Sequence, residues 1–169
     1  MKRLLVIVLI ILLLPSLAIP QTLANQNEEN TVHLNVPAVT NLNGEYRGVS
    51  TSLKISVEPG DGHIYMETWP LSEVDMQASA RLAIQTASQT LNINPNKYDY
   101  HFSINSDSPI IGGPSAGGVM TVGVIAAIKN LSVNPDVMMT GMINPDGSIG
   151  PVGGIVHKAG HWQLAGMLP

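Results

Sequence analysis

Cysteine is absent from the 169 residues, which excludes disulfides, thiolate metal sites and a cysteine nucleophile together. Packing alone must hold the fold. Charge is also sparse: charged residues make up 12% of the chain, with 8 Lys and Arg against 12 Asp and Glu and a net charge of −4. The cations form no basic run, and aromatic residues are only 4% of the chain, so no nucleic-acid partner is expected. What is abundant is apolar: 44% of residues, enough for the core of one domain and unlike a disordered composition.

The N-terminus reads Met1-Lys2-Arg3, an uncharged apolar run over 4–14, Pro15, and a small-residue stretch ending Thr22-Leu23-Ala24. This is the order of a cleaved signal peptide: positive region, apolar region, cleavage site. An uncleaved anchor is the alternative, because no charge occurs between Arg3 and Glu28 and the 4–19 run is only slightly shorter than a membrane span. Either reading for 1–24 predicts an exported body, extracellular or anchored facing outward, with membrane contact only through an uncleaved leader.

Residues 25–30 are polar and without apolar period, so 25–48 is expected to be a spacer and the start of the domain. Leu53, Ile55 and Val57 alternate with Lys54 and Ser56, the period of a half-buried strand. Pro59-Gly60-Asp61-Gly62 breaks that run before Ile64-Tyr65-Met66, which predicts a hairpin. Ser72-Glu73-Val74-Asp75 predicts a capped helix start, and Met76, Ala80, Ala83, Ile84, Ala87 and Leu91 follow at helical spacing. Tyr100, Phe102 and Ile104 alternate as a second strand. A glycine-dense loop over 108–118 then opens onto an apolar stretch at 119–128, expected as a buried helix. Residues 137–140 read as a short buried strand, Asn144-Pro145-Asp146-Gly147 as a turn, and a last helix is expected from about 155. Strands and helices without a regular βαβ repeat predict an α+β fold.

Two segments carry reactive side chains. Gly113-Pro114-Ser115-Ala116-Gly117 puts a serine among residues with little or no side chain at a helix start, where free N–H groups and the helix dipole would stabilise an oxyanion. An ordinary helix-capping serine is the competing reading. Gly153-Gly154-Ile155-Val156-His157-Lys158 puts a lysine in the first turns of another helix, where apolar burial and the dipole disfavour its ammonium form. A base requires that; a solvated surface lysine is the competing reading.

Gly-Gly-Pro-Ser115-Ala-Gly, Met139-Thr140-Gly141, Ser148-Ile149-Gly150-Pro151-Val152-Gly153-Gly154 and Lys158 together resemble the proteolytic domain of the Lon family, peptidase family S16. The order and the 43 residues from Ser115 to Lys158 are similar to that family, and the likeness covers 50–166. Within the family the chain is most similar to the archaeal exported Lon-like group that lacks an AAA+ ATPase module, and no Gly-x-x-x-x-Gly-Lys-Ser/Thr stretch occurs in it. The resemblance implies a Lon-type α+β domain over 49–169 and an ATP-independent serine endopeptidase acting on exposed or unfolded polypeptides, with no cofactor or metal. It implies Ser115 as nucleophile, Lys158 as base, and Thr140 as the hydroxyl that orients the lysine. Backbone N–H groups of Gly113, Ser115 and Ala116 would form the oxyanion site, and Asp75 would be a supporting acid near the dyad. A homo-oligomer is implied as well.

Two departures stand out. His157 occupies a position that is usually acidic in the family, and the chain stops at Pro169 where relatives continue, so the domain is expected to be incomplete at its C-terminus. Two other functions fit some of the residues. Gly113-Pro114-Ser115-Ala116-Gly117 fits the nucleophile elbow of an α/β-hydrolase, with His157 or His161 as base and Asp136 or Asp146 as orienter. A non-catalytic peptide-binding remnant is the other.

Overall fold

The structure, a computed structural model, describes residues 30–69 and 71–164. The expected leader, 1–24, lies outside the described residues. Among those described, no helix is long and apolar enough to cross a membrane.

A four-stranded sheet forms the body. It is built from β1 (Thr31–Leu42), β2 (Glu45–Pro59), β3 (Ile64–Thr68) and β5 (Tyr98–Ser106), in the order β1-β2-β5-β3. The remaining elements are β4 (Leu71–Ser72), α1 (Val74–Leu91), β6 (Ile110–Ile111), α2 (Gly117–Ile128), a hairpin of β7 (Met142–Ile143) and β8 (Ile149–Gly150), and α3 (Ile155–Leu164). The expected α+β class is what the chain adopts.

Strand alternation decides which face is covered. Val32, Leu34 and Val36 of β1, Leu53, Ile55 and Val57 of β2, and Tyr100, Phe102 and Ile104 of β5 are all buried. Helices α1 and α2 lie on that face and on each other, with Met76, Ala80, Ala83 and Ala87 of α1 and Val119, Met120 and Val124 of α2 in the same core. Each large side chain fully buried there contributes roughly 1.5–3 kcal/mol. At Gly123 the α2 backbone approaches the sheet so closely that an added Cβ would lie 2.8 Å from Leu34 Cδ1. On the opposite face β2, β3 and β5 carry a polar array, in which His101 bonds Glu58 at 2.9 Å and stacks on Tyr65 at 4.6 Å.

Three expectations need correction. Within 25–48, expected to be a spacer and the start of the domain, β1 pairs with β2 along its whole length, a strand that the sequence did not announce. The hairpin across 59–63 does not form: β2 and β3 are separated by β5, to which β3 runs parallel. The turn residues bond the start of β5 instead, since Asp99 accepts from the N–H groups of Asp61 at 2.9 Å and His63 at 2.8 Å. These bonds, that from His63 first, hold the Asp99 carboxyl below its usual value. Residues 137–140 are irregular rather than a strand, and Val137 is exposed. The pairing falls two residues later, in β7. Helix α1 begins where expected, but with Glu73 at the N-cap and no side-chain cap bond.

Candidate active site

The loop before α2 brings Ser115 to the edge of a cleft. Gly113 has φ +85°, a left-handed conformation that glycine adopts without strain, and Pro114-Ser115-Ala116 then forms one 3₁₀ turn that runs into α2. Ala116 stands at the α2 N-cap, and no side chain caps the helix. The competing reading of Ser115 as a helix cap therefore fails, and its half-buried side chain lines the cleft instead.

Two segments hold this turn. Gly141 donates its N–H to the Ser115 carbonyl at 2.9 Å, and Gly118 donates to the Gly141 carbonyl at 2.9 Å. Residues 139–143 thus form a strap against the first turn of α2. A Cβ on Gly117 would sit 2.9 Å from the Ile143 backbone nitrogen and 2.7 Å from its Cγ2. Neither atom is the free end of a long chain. Gly117→Ala is therefore expected to destabilise the domain by about 1–3 kcal/mol, measured by thermal denaturation. On the other side, Asp75 in the first turn of α1 accepts the Gly113 N–H through Oδ2 at 2.9 Å. Its second oxygen is buried without a partner among the described residues. Asp75 is thus tied to the serine loop. Its bond corrects one expectation, because the Gly113 N–H is committed to a carboxylate and is not an open oxyanion donor.

Lys158 enters the same cleft from α3. Gly154, at φ +71°, turns the chain into the helix, and Lys158 closes its first turn by donating its backbone N–H to the Gly154 carbonyl at 3.0 Å. The Lys158 side chain is 4% exposed, and burial lowers its pKa. Its Nζ donates to Thr140 Oγ1 at 3.0 Å. The Thr140 hydroxyl in turn reaches the Ser115 carbonyl through a long contact of 3.4 Å. One hydroxyl therefore links the buried lysine to the backbone of the serine.

The cleft has a volume of about 950 Å³, and Ser115, Ala116 and Lys158 line it. One wall comes from β1, through Val36, Pro37, Ala38 and Val39, residues to which the sequence reading assigned no role. Gly141 was also missed as an individual contact, although the Met-Thr-Gly motif contains it. The glycine beside Thr140 was the available signal.

The hydrolase-elbow alternative does not survive this geometry. Its fold requires a mainly parallel sheet leading into the serine, whereas this sheet is mostly antiparallel and only the two-residue β6 precedes the loop. Asp136 is exposed in a turn at 134–137, and the Asp146 carboxylate accepts from Ser148 at 2.7 Å in the β7–β8 turn; neither lines the cleft. His157 lines the mouth of the cleft, and the His161 side chain lies outside the described residues.

A mixed sheet with two helices on one face defines an α+β domain, and a serine and a buried lysine share one of its clefts. Residues 21–167 match the family model of the Lon protease (S16) C-terminal proteolytic domain, and the chain belongs to that family. Lon protease 1 of Bacillus subtilis (strain 168) is 32% identical over 126 residues, covering 71% of this chain and 16% of that protein. The Lon protease of Phenylobacterium zucineum (strain HLK1) is 34% identical over 115 residues, or 64% of this chain and 14% of the relative. That of Lawsonia intracellularis (strain PHE/MN1-00) is 36% identical over 112 residues, 63% of this chain and 13% of the relative. The chain therefore spans less than one fifth of the length of these relatives.

Proposed function

We propose that this chain is a serine endopeptidase in which Ser115 and Lys158 form the catalytic dyad, and that it hydrolyses peptide bonds in exposed or unfolded polypeptides without ATP or metal. The observation that carries the reading is the buried Lys158 ammonium, hydrogen-bonded to Thr140 in the cleft that Ser115 lines. Burial increases the neutral fraction of the amine at any given pH. Because Thr140 accepts from Nζ, it uses a lysine proton and leaves the nitrogen lone pair of the neutral amine for the serine. Thr140 is in this reading the orienting hydroxyl.

Lys158 takes the Ser115 Oγ proton as the oxygen attacks the scissile carbonyl, and returns it to the departing amine. The acyl-enzyme is then hydrolysed by a water that gives its proton to the same lysine, which passes it to Ser115 Oγ as the acyl bond breaks. The N–H groups of Ser115 and Ala116, at the positive end of α2, serve the developing oxyanion. Asp75 acts indirectly, by fixing Gly113 two residues before the nucleophile. The apolar leader over 1–24 supports action outside the cytoplasm.

The test is cleavage of an unstructured fluorogenic peptide. Its rate is expected to be the same with ATP and Mg²⁺ or with EDTA, because no phosphate-binding loop occurs in the chain. A several-fold stimulation by nucleotide would overturn the motor-free part of the reading. Peptide bound without cleavage under both conditions would favour the non-catalytic remnant.

A further inference from the structure

Lys158 is only as well placed as α3, and α3 packs mainly against β2 and β1. Two contacts join the beginning of this helix to the outer part of the β1–β2 hairpin. At Gly154 the backbone approaches β1 so closely that an added Cβ would meet Val39 Cγ2 at 2.8 Å. Three residues later the His157 ring lies against Tyr46 of β2, with centroids 6.0 Å apart and the planes tilted by 36°. Both rings are exposed, and Tyr46 and His157 line the cleft mouth beside Lys158. His157 is the residue that departs from the acidic position of the family pattern, and the catalytic reading gives it no chemical step.

We propose that Tyr46 and His157 form an aromatic clasp between the β1–β2 hairpin and α3, and that this clasp positions Lys158 beside Thr140. The consequence for catalysis rests on the Ser115–Lys158 reading; the positioning does not. The centroid separation lies within the range over which aromatic rings attract one another. The pair acts at the one helix that carries the lysine, next to the residue whose side chain must stay dry. Burial is the cause of the lowered Lys158 value, so anything that lets α3 lift from the hairpin admits water to Nζ. Tyr46 and His157 are therefore positioning residues and touch no reacting atom.

The experiment follows the Lys158 amine directly, by ¹³Cε-lysine NMR titration of the whole chain, with Lys158→Met used to assign the resonance. Tyr46→Ala and His157→Ala are each expected to raise the Lys158 midpoint by about half a pH unit or more. Tyr46→Phe and His157→Phe, which keep the rings, are expected to restore it. The double Ala variant should add little to either single one, since one contact is lost in all three. An unchanged midpoint in both Ala variants overturns the clasp. So does a rise that His157→Phe fails to reverse, because imidazole chemistry rather than ring contact would then be responsible. Peptide cleavage by the unaltered chain is measured in parallel. Absence of cleavage with a clasp-dependent midpoint would count against the peptidase reading alone, and cleavage with an unresponsive midpoint against the clasp alone.

Discussion

Lys158→Ala is expected to reduce peptide hydrolysis by about 10⁴-fold or more, the scale on which removal of one member of a nucleophile–base pair acts. Lys158→Arg should not rescue it, because a guanidinium stays protonated and has no lone pair to offer. The pH dependence has a defined sign. Burial lowers the lysine pKa, and only the neutral amine is a base, so kcat/KM should rise with pH through the folded-state titration of Lys158. Stability follows the same sign. The unfolded chain binds a proton more tightly at this lysine than the fold does, so stability rises with pH between the folded and unfolded midpoints. Below the folded midpoint the full cost of the buried ammonium is present. Lys158→Met is accordingly expected to abolish cleavage and yet raise Tm at neutral pH, a result that thermal denaturation and peptide assay give side by side. Near-normal activity in the Ala or Arg variant would remove Lys158 from the chemistry.

The segments that carry Ser115 and Lys158 were legible because they are short motifs whose local conformation depends on local residues. Glycine at 113 and 154 adopts positive φ, and those two turns aim Ser115 and Lys158 into the cleft. The helix starts near Val74 and Ile155 were equally readable, from a Ser-Glu-Val-Asp stretch and a Gly-Gly pair. The rest depended on partners distant in sequence. The apolar period of β1 is visible in Val32, Leu34 and Val36, but Pro37 and the neighbouring asparagines obscure it. Proline is tolerated there because β1 is the edge of the sheet, a fact available only from strand order. The false hairpin has a similar origin. Pro59-Gly60-Asp61-Gly62 does turn the chain, but Asp99, 38 residues after Asp61, captures the N–H groups that would have closed a tight hairpin. No local signal announces that capture. Thr140 illustrates the same limit on a smaller scale: Met139-Thr140-Gly141 was readable as a motif, but 137–140 was misread as a strand, and the backbone of Gly141 bonds the Ser115 turn and α2 instead.

A fluorophosphonate should label Ser115, and label it faster at alkaline than at acidic pH. The expectation begins with access. Ser115 is half-buried and lines the cleft, although α2 behind it is buried. A bare serine is nonetheless a weak nucleophile, and the pH dependence separates access from activation. If Lys158 is the base, its deprotonation controls the rate of phosphonylation, and the rate should follow the lysine midpoint measured by NMR. Ser115→Ala should abolish the adduct, and Lys158→Ala should slow labelling by about 10³-fold or more while leaving the serine in place. Thr140→Val should have a smaller effect, of roughly 10-fold, since it removes the orienting hydroxyl but not the base. Mass mapping of the adduct decides among the outcomes. An adduct on Ser115 that depends on Lys158 supports the dyad. Labelling that persists at the same rate in Lys158→Ala would mean that another group activates the serine. A folded protein that shows no adduct at Ser115 at any pH would remove the peptidase reading and leave a cleft that binds peptide without cutting it.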